Sequence, residues 1–271
     1  MNPAHPHLLR PRLRPATGGP PVRLIVWRSG ATNLGYVLAA EEGRVVSVDV
    51  TNGEELLRVL EFESLTLDAV ALTHGHHDHV NGLGEVLEAT GCRLLRPEGL
   101  EVEGGGEAVS DGERFRLLGL EWRAFDTSGH SPLDFSYHVP ALNLCFCGDT
   151  VFDGGCGRMF AGPPERLWAS VTKVRALPDA TGLCCGHDYA PENYLFASRE
   201  LPGRPEFVAL REEAVRVAER GEVRMPVTVE DQKRTNLFWR ADDPETVREL
   251  GRTGQDPVEV FAALRKKRDR L

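Results

Sequence analysis

The stretch LTHGHHDHVNG, residues 72–82, contains four histidines and one aspartate within the six residues 74–79. An apolar, strand-like run, LDAVALT, leads into it, and a helix-like run, NGLGEVLEAT, follows the last histidine. Proteins that alternate strands and helices commonly place functional groups where a strand ends. Imidazole and carboxylate groups are common ligands of zinc, iron and manganese. The stretch therefore predicts a metal site at the junction of a strand and a helix.

The histidine-rich stretch can divide its side chains between two ions. Alternate residues of an extended segment face the same way, so His74 and His76 can bind one ion while His77 points elsewhere. Asp78 and His79, at the turn into the following helix, can face a second ion close by. Two ions need more ligands than this stretch alone supplies.

Three later strand-like runs end in a glycine followed by a ligand-type residue. The runs FDTSGH, LCFCGDT and GLCCGH supply His130, Asp149 and His187 in this position. A single histidine after a strand is more often a surface residue, but three such endings together with the cluster favour one shared metal site. The other histidines lack this context and are interpreted as structural; they are His5, His7, His77 and His138.

The composition predicts a globular protein that neither binds nucleic acids nor spans a membrane. The chain has 271 residues and a formal net charge of −9 at pH 7, and this acidic balance argues against a polyanionic partner. It contains no run of about 18 apolar residues that could span a bilayer. Six cysteines without the regular spacing of a disulfide framework favour a reducing compartment, so we expect a cytoplasmic protein.

The patterns divide the chain into three parts. Residues 1–22 carry six prolines and three arginines but no acidic residue, and they lack the apolar core of a secretory signal, which predicts a loose or surface-wrapped extension. Residues 23–190 alternate strand-like and helix-like runs and predict two sheet-forming halves with helices outside. Residues 191–271 change to helical periodicity, with Asp or Pro near several starts, and predict a separate helical region.

The histidine stretch resembles a known signature. Residues 73–79, THGHHDH, match the T-H-x-H-x-D-H motif of the metallo-β-lactamase superfamily, whose later ligands match in the same order. Within it the chain is similar to the glyoxalase II, or hydroxyacylglutathione hydrolase, family, on GGCGRMF at 154–160, CGHDYAPENYLFA at 185–197, KRTN at 233–236 and ALRKKRD at 263–269. The resemblance implies an α/β fold, a four-layer αββα metallo-β-lactamase sandwich with a catalytic metal site, followed by a small all-helical C-terminal domain that binds substrate.

The resemblance also implies the metal ligands: His74, His76 and His130 for one divalent ion, Asp78, His79 and His187 for the other, and Asp149 as the bridge. Zinc is expected, with iron and manganese as alternatives. Paired ions about 3.5–4 Å apart lower the pKa of water toward about 7 and can stabilise an oxyanion. The expected catalytic residues are Asp149 and Asp78, with Asp78 holding the bridging hydroxide in position for attack on a thioester carbonyl.

The family binds the glutathione part of its substrate through residues that match six positions here: Arg158, Phe160, Tyr189, Asn193, Arg265 and Arg268. Arg265 and Arg268 are three apart on a predicted helix, so they share a face and could bind a glycine carboxylate together. Two positions depart from the common family residues, Arg158 from lysine and Phe160 from tyrosine. A thiol carrier other than glutathione therefore stays open.

These features predict a binuclear, metal-dependent thioesterase that acts as a monomer on a small-molecule substrate. It would cleave S-2-hydroxyacylglutathione, typically S-lactoylglutathione, to a 2-hydroxy acid and a free thiol. The alternatives are a mononuclear-iron persulfide dioxygenase, a branch that usually lacks the long helical tail, and another hydrolase of this fold with a different thiol or ester substrate. The acidic charge disfavours a nuclease, and the number of His and Asp ligands disfavours a purely structural metal module.

Overall fold

Two β-sheets face each other and form the middle of the molecule. The computed structural model describes residues 8–9, 11–16, 18 and 21–271. The first sheet has seven strands, which lie side by side in chain order: β1 (Arg12–Leu13), β2 (Val22–Ser29), β3 (Asn33–Ala39), β4 (Arg44–Val48), β5 (Thr66–Ala71), β6 (Arg93–Pro97) and β7 (Glu107–Val109). The pairs from β1 to β4 are antiparallel, and those from β4 to β7 are parallel.

The second sheet has six strands, all of which follow the first sheet in the sequence. Its strands are β8 (Arg114–Leu117), β9 (Leu120–Asp126), β10 (Phe135–Val139), β11 (Leu144–Gly148), β14 (Gly182–Cys185) and β15 (Val227–Thr228), in the spatial order β15-β14-β11-β10-β9-β8. A separate two-stranded sheet, β12 (Val151–Phe152) with β13 (Gly155–Cys156), lies between β11 and β14 in the sequence.

Helices cover the sheets on both sides. The structure describes α1 (Gly53–Glu63), α2 (Leu83–Thr90), α3 (Pro164–Arg175), α4 (Ala190–Glu200), α5 (Pro205–Glu219), α6 (Val229–Thr235), α7 (Pro244–Glu249) and α8 (Pro257–Arg268). Residues of α1 and α2 pack against the first sheet, and α3, α4, α5 and α8 contribute to the larger core that includes the second sheet. This order confirms the predicted αββα sandwich.

Alternation along β2 shows how one strand serves two hydrophobic cores. Leu24 and Val26 face the core between the sheets, whereas Ile25 and Trp27 face the core beneath α1 and α2. All four side chains are buried, because successive side chains of a strand point to opposite faces and both faces of this sheet are covered. A near-continuous apolar run such as RLIVW is typical of a strand that is covered on both faces.

The C-terminal region is helical, as predicted, with one short exception. Asp243 and Asp256 cap α7 and α8 by accepting backbone N–H bonds, and a proline follows each of them. The strand β15 comes from the same region and pairs with β14 through Val227 and Leu183. Two residues are too few to show a strand periodicity, so this connection to the second sheet was not predictable from the pattern.

The described part of the N-terminal extension lies against the first sheet. Leu9 and Val26 exchange two backbone hydrogen bonds of 2.9 and 3.0 Å, and β1 pairs with β2. The apolar side chains of Leu9 and Leu13 pack against the larger core. The rest of the predicted extension, including His5 and His7, lies outside the described residues.

The described part of the chain shows neither a membrane-spanning helix nor a disulfide bond. None of the helices there has the length and apolar composition needed to cross a bilayer. All six cysteines are free thiols, and five of them are buried in the core. Burial raises the pKa of the Cys145, Cys184 and Cys185 thiols, so they act as small apolar side chains.

Candidate metal centre

The histidine-rich stretch continues directly from the end of β5. His74 and His76 lie on the extended segment, and residues 77–79 form a single 3₁₀ turn before α2. The side chains of His74 and His79 are fully buried, whereas His77 is exposed to solvent. The turn therefore directs Asp78 and His79 toward the site and leaves His77 outside it, as the facing argument predicted.

Three histidines form the first group of facing nitrogen atoms. His76 Nδ1 lies 3.0 Å from His74 Nε2 and 2.9 Å from His130 Nε2. The three ligand atoms all lie within 4.8 Å of one another. The structure thus brings together the three residues that the family resemblance assigned to one ion.

The second group contains Asp78, His79 and His187. His187 Nε2 lies 3.2 Å from Asp78 Oδ2 and 3.4 Å from His79 Nε2. Asp78 Oδ2 and His79 Nε2 are 4.0 Å apart. These three are the residues that the family resemblance assigned to the second ion.

Asp149 lies between the two groups. Its Oδ2 atom is 3.4 Å from His130 Nε2 and 3.3 Å from His187 Nε2, and its Oδ1 atom is 3.4 Å from His79 Nε2. Asp149 Oδ1 is buried and accepts no hydrogen bond from the described residues. A buried carboxylate oxygen without a partner is costly, and a cation would satisfy it. The donor atoms present therefore fit the binding of divalent cations.

The electrostatics of the cluster follow from burial and from its two acidic residues. Burial lowers the pKa of His74 well below its usual value and that of His130 to about 4, so both imidazoles are neutral, as metal binding requires. Burial also acts to lower the pKa of His187, but hydrogen bonds to Asp149 and Asp78 outweigh it and raise that pKa to about 9. A metal ion would compete with this proton for the imidazole nitrogen.

Glycines allow the strand ends to approach one another. Gly129 has φ +138°, in the region that favours glycine, at the turn before His130. At Gly186, a Cβ atom would lie 2.2 Å from Asp149 Oδ1 and 2.6 Å from His79 Cε1. The glycine of the strand-glycine-ligand pattern is therefore a packing requirement at this point.

Asp49, at the end of β4, supports both groups, and the sequence analysis missed it. His79 Nδ1 donates to Asp49 Oδ2 over 2.9 Å, and the hydroxyl of Thr73 donates to the same oxygen over 2.7 Å. Thr73 Oγ1 lies in turn 3.0 Å from His74 Nδ1. The signal was present in the run RVVSVDV, which also ends a strand in an aspartate, although no glycine precedes it.

Thr32, in the turn after β2, and Asn33, the first residue of β3, contact His187 and Asp78 of the second group. Thr32 Oγ1 lies 3.1 Å from His187 Nδ1, and Asn33 Nδ2 donates to Asp78 Oδ2 over 3.0 Å. Such outer contacts fix the orientation of ligand side chains and are important for metal affinity. Neither residue carries a sequence signal, because threonine and asparagine are ordinary turn residues.

A cavity of about 590 Å³ opens beside the two groups. All six predicted substrate-binding residues line it, together with five of the seven predicted ligands. The Tyr189 ring stacks on His187 with 4.8 Å between centroids, and the Phe160 ring lies 5.4 Å from that of His130. Phe160 is 63% exposed, so it forms part of the cavity mouth.

The two predicted tail arginines differ in their surroundings. Arg265 is only 4% exposed; its Nη1 donates to Cys156 O over 2.8 Å, and its Nη2 pairs with Asp269 over 2.9 Å. Arg268 is half-buried, and its Nε donates to Asn193 Oδ1 over 3.3 Å. Arg265 therefore fastens α8 to the end of β13, while Arg268 has nitrogen atoms left to contact a ligand.

Comparison with known families covers almost the whole chain. The family model of the metallo-β-lactamase superfamily matches residues 30–187, and the model of the hydroxyacylglutathione hydrolase C-terminus matches residues 188–271. The chain belongs to the hydroxyacylglutathione hydrolase family. Membership confirms the resemblance that the motifs indicated and makes the chain a member of a family of metal-dependent hydrolases.

Relatives of this family are similar over nearly their full length. A hydroxyacylglutathione hydrolase of Erythrobacter litoralis is 36% identical over 239 residues, which cover 88% of this chain and 94% of that protein. One from a Methylobacterium species is 36% identical over 256 residues, covering 93% of this chain and 100% of that protein.

Two solved structures have similar folds. ETHE1 from Myxococcus xanthus has a TM-score of 0.62 and 21% identity, covering 96% of this chain and 98% of its own, which shows the fold alone. The protein TTHA1623, solved in a di-iron-bound form, has a TM-score of 0.51 and 25% identity and covers 59% of this chain and 89% of its own.

Proposed function

We propose that the chain hydrolyses S-2-hydroxyacylglutathione thioesters, typically S-lactoylglutathione, to a 2-hydroxy acid and glutathione. The observation that carries the proposal is the position of Asp149, whose carboxylate lies within 3.4 Å of ring nitrogens from both donor groups at one end of a 590 Å³ cavity. The names of the relatives at 36% identity support the choice of substrate.

The proposed ligands are the three histidines of the first group, the three residues of the second group, and Asp149 between them. Bound there, two divalent ions would supply a nucleophile from water at neutral pH and positive charge for the developing oxyanion. Nitrogen and oxygen donors of this kind suit zinc, iron and manganese, and we propose zinc. Asp49, Thr32 and Asn33 orient the ligand side chains through their hydrogen bonds.

Asp78 is the proposed positioning group for the attacking water. Its side chain is half exposed toward the cavity, and Asn33 fixes its Oδ2 atom. The Oδ1 atom, for which the described residues provide no hydrogen bond, can accept one from the water. Because a thiolate is a good leaving group, the reaction needs no strong general acid.

The cavity has the size and chemistry of a small-molecule site. Arg158 and Arg268 place positive charge on the lining of the cavity, where they can pair with carboxylates of the thiol carrier. Asn193 and Tyr189 add polar contacts, and Phe160 covers the mouth. Arg265 contributes by holding α8 in place rather than by direct contact.

We also propose a division of the chain into a catalytic part, residues 23–190, and a substrate-binding part, residues 191–271. The two family models, which meet between residues 187 and 188, support this boundary. Free, buried thiols are typical of a reducing compartment, which supports the cytoplasm as the site of action. We propose that the monomer is the active form, since one chain supplies all seven ligands and the cavity.

Metal analysis combined with turnover tests the proposal. The purified chain is expected to contain two metal ions and to hydrolyse S-D-lactoylglutathione with saturation kinetics. The loss of the thioester's ultraviolet absorbance measures the rate. A single iron per chain, with oxygen consumption in the presence of glutathione persulfide, would instead support the dioxygenase and overturn the proposal. Metal-loaded protein without thioester hydrolysis would also overturn it.

A further inference from the structure

One carboxylate in the cavity has no role in the proposed chemistry. The lining contains three acidic side chains, and two of them, Asp78 and Asp149, belong to the metal groups. The third is Glu192, an exposed residue in the first turn of α4. In the part of the chain that the structure describes, Glu192 forms no hydrogen bond and no ion pair with another side chain. Its charge is therefore available to a ligand.

Glu192 lies next to the proposed carboxylate-binding groups. The residue after it, Asn193, accepts a hydrogen bond from Arg268 Nε. Burial and the neighbouring Arg265 lower the pKa of Arg268, and the negative charge of Glu192 opposes them. Glu192 and Arg268 therefore lie close enough for their charges to interact on one wall of the cavity.

A favourable interaction with the helix dipole is the simplest other reason for an acid in a first turn. Glu165 has that position in α3, and it is also exposed. Glu165 does not line this cavity, whereas Glu192 does. Glu192 therefore differs from Glu165 in lying within reach of a ligand in the cavity.

We propose that Glu192 binds the α-ammonium group of the thiol carrier and so selects carriers that have a free amino group. The inference rests on the proposed function, in which the carrier is glutathione. Glutathione has two carboxylates and one ammonium group, and Arg158, Arg268 and Glu192 provide matching charges of opposite sign. Thiols whose amino group is acylated, or that have none, lack the group that Glu192 recognises.

The test combines one protein variant with one substrate variant. Glu192→Gln and the unaltered enzyme are each assayed with S-lactoylglutathione and with its N-acetyl derivative, which keeps both carboxylates but has no ammonium group. Because ion pairs at exposed positions are weak, Glu192→Gln is expected to raise the KM for S-lactoylglutathione about twofold to fivefold. The KM for the N-acetyl derivative is expected to be the same in both proteins, and kcat is expected to change little.

Two controls separate charge recognition from other effects. Glu165→Gln removes a first-turn acid outside the cavity and is expected to leave both KM values unchanged. The effect of Glu192→Gln is expected to shrink as ionic strength rises, since salt screens exposed charges. Glu192→Asp is expected to restore part of the preference for the free amino group.

The outcomes distinguish this inference from the function on which it rests. Equal changes in KM for the two substrates, or no change for either, overturn the role of Glu192 while leaving thioester hydrolysis established. Failure of the unaltered, metal-loaded enzyme to hydrolyse S-lactoylglutathione overturns the proposed function and the inference together.

Discussion

Replacing Gly186 with alanine adds one methyl group, which is expected to impair metal binding at both groups of donor residues. The new Cβ atom would lie 2.2 Å from Asp149 Oδ1, whereas ordinary contacts begin at 3.4 Å, so the atoms must separate by about 1.2 Å. The backbone cannot easily retreat, because Gly186 N donates to Gly148 O and Gly186 O accepts from Leu34 N. The displacement therefore falls on Asp149 and on the His79 ring.

A shift of about 1 Å in a catalytic site costs on the order of a hundredfold in rate. Gly186→Ala is therefore expected to bind fewer than two metal ions per chain and to lose about a hundredfold in kcat/KM for S-lactoylglutathione. Elemental analysis after gel filtration and initial-rate kinetics measure the two effects. The thermal unfolding midpoint is expected to fall only slightly, because the substitution adds one methyl group and removes no core side chain.

Gly203→Ala is the matched control for this substitution. Gly203 lies between α4 and α5, and a Cβ atom there would meet nothing within 4 Å. This variant is expected to keep both metal ions and full activity. If Gly186→Ala retained two metal ions and unchanged kcat/KM, the close approach of the strand ends would not be a requirement of the site, and the reasoning would be wrong.

Three further experiments test the supports of the site. Asp49→Ala is expected to weaken metal binding about 10–100-fold, because His79 loses its orienting acceptor; competition with a chromogenic chelator measures it, and unchanged affinity would contradict it. Arg265→Ala is expected to lower the free energy of unfolding by about 2–3 kcal/mol, because the buried carbonyl of Cys156 loses its donor and Asp269 keeps only its longer contact with Arg158. Arg268→Ala is expected instead to raise KM about tenfold with little change in stability. Denaturant unfolding and steady-state kinetics separate the two effects. Removal of metal by a chelator is expected to abolish hydrolysis and to leave the circular dichroism spectrum largely unchanged, with two equivalents of zinc restoring activity.

The fold and the candidate ligands were predictable because their signals are local, whereas the division of His130 and His187 between the two groups came from the resemblance to the family. A strand, a glycine and a ligand follow one another within a few residues before Asp149 and His187, and each apolar run that precedes them is buried in the structure. Side-chain alternation was sufficient to separate His77 from its neighbours. Such patterns depend on backbone periodicity, which a single sequence records directly.

The supporting contacts were not predictable because they join residues far apart in the chain. Asp49 contacts His79 across 30 positions, and Thr32 contacts His187 across 155. The side chain of Asn236, in the KRTN segment, donates to Gly155 O and Phe152 O and so ties the tail to the small sheet. Nothing in the local sequence of Thr32 or Asn236 distinguishes them from ordinary cap and turn residues. Asp49 follows a strand-like run, but nothing local identifies His79 as its partner.

The basic tail shows why identity and spacing alone do not assign a residue's role. Arg265 and Arg268 are three positions apart and both line the cavity, as their shared helix face predicted. Their burial differs: Arg265 is enclosed, and each of its three guanidinium nitrogens contacts Cys156 or Asp269. Arg268 is only half-buried, and its Nε contacts Asn193. A charge that is already paired inside the protein contributes mainly to stability, and a charge that faces the cavity contributes to binding. The same criterion selects Glu192, an unpaired charge at the cavity, as the residue that recognises the carrier.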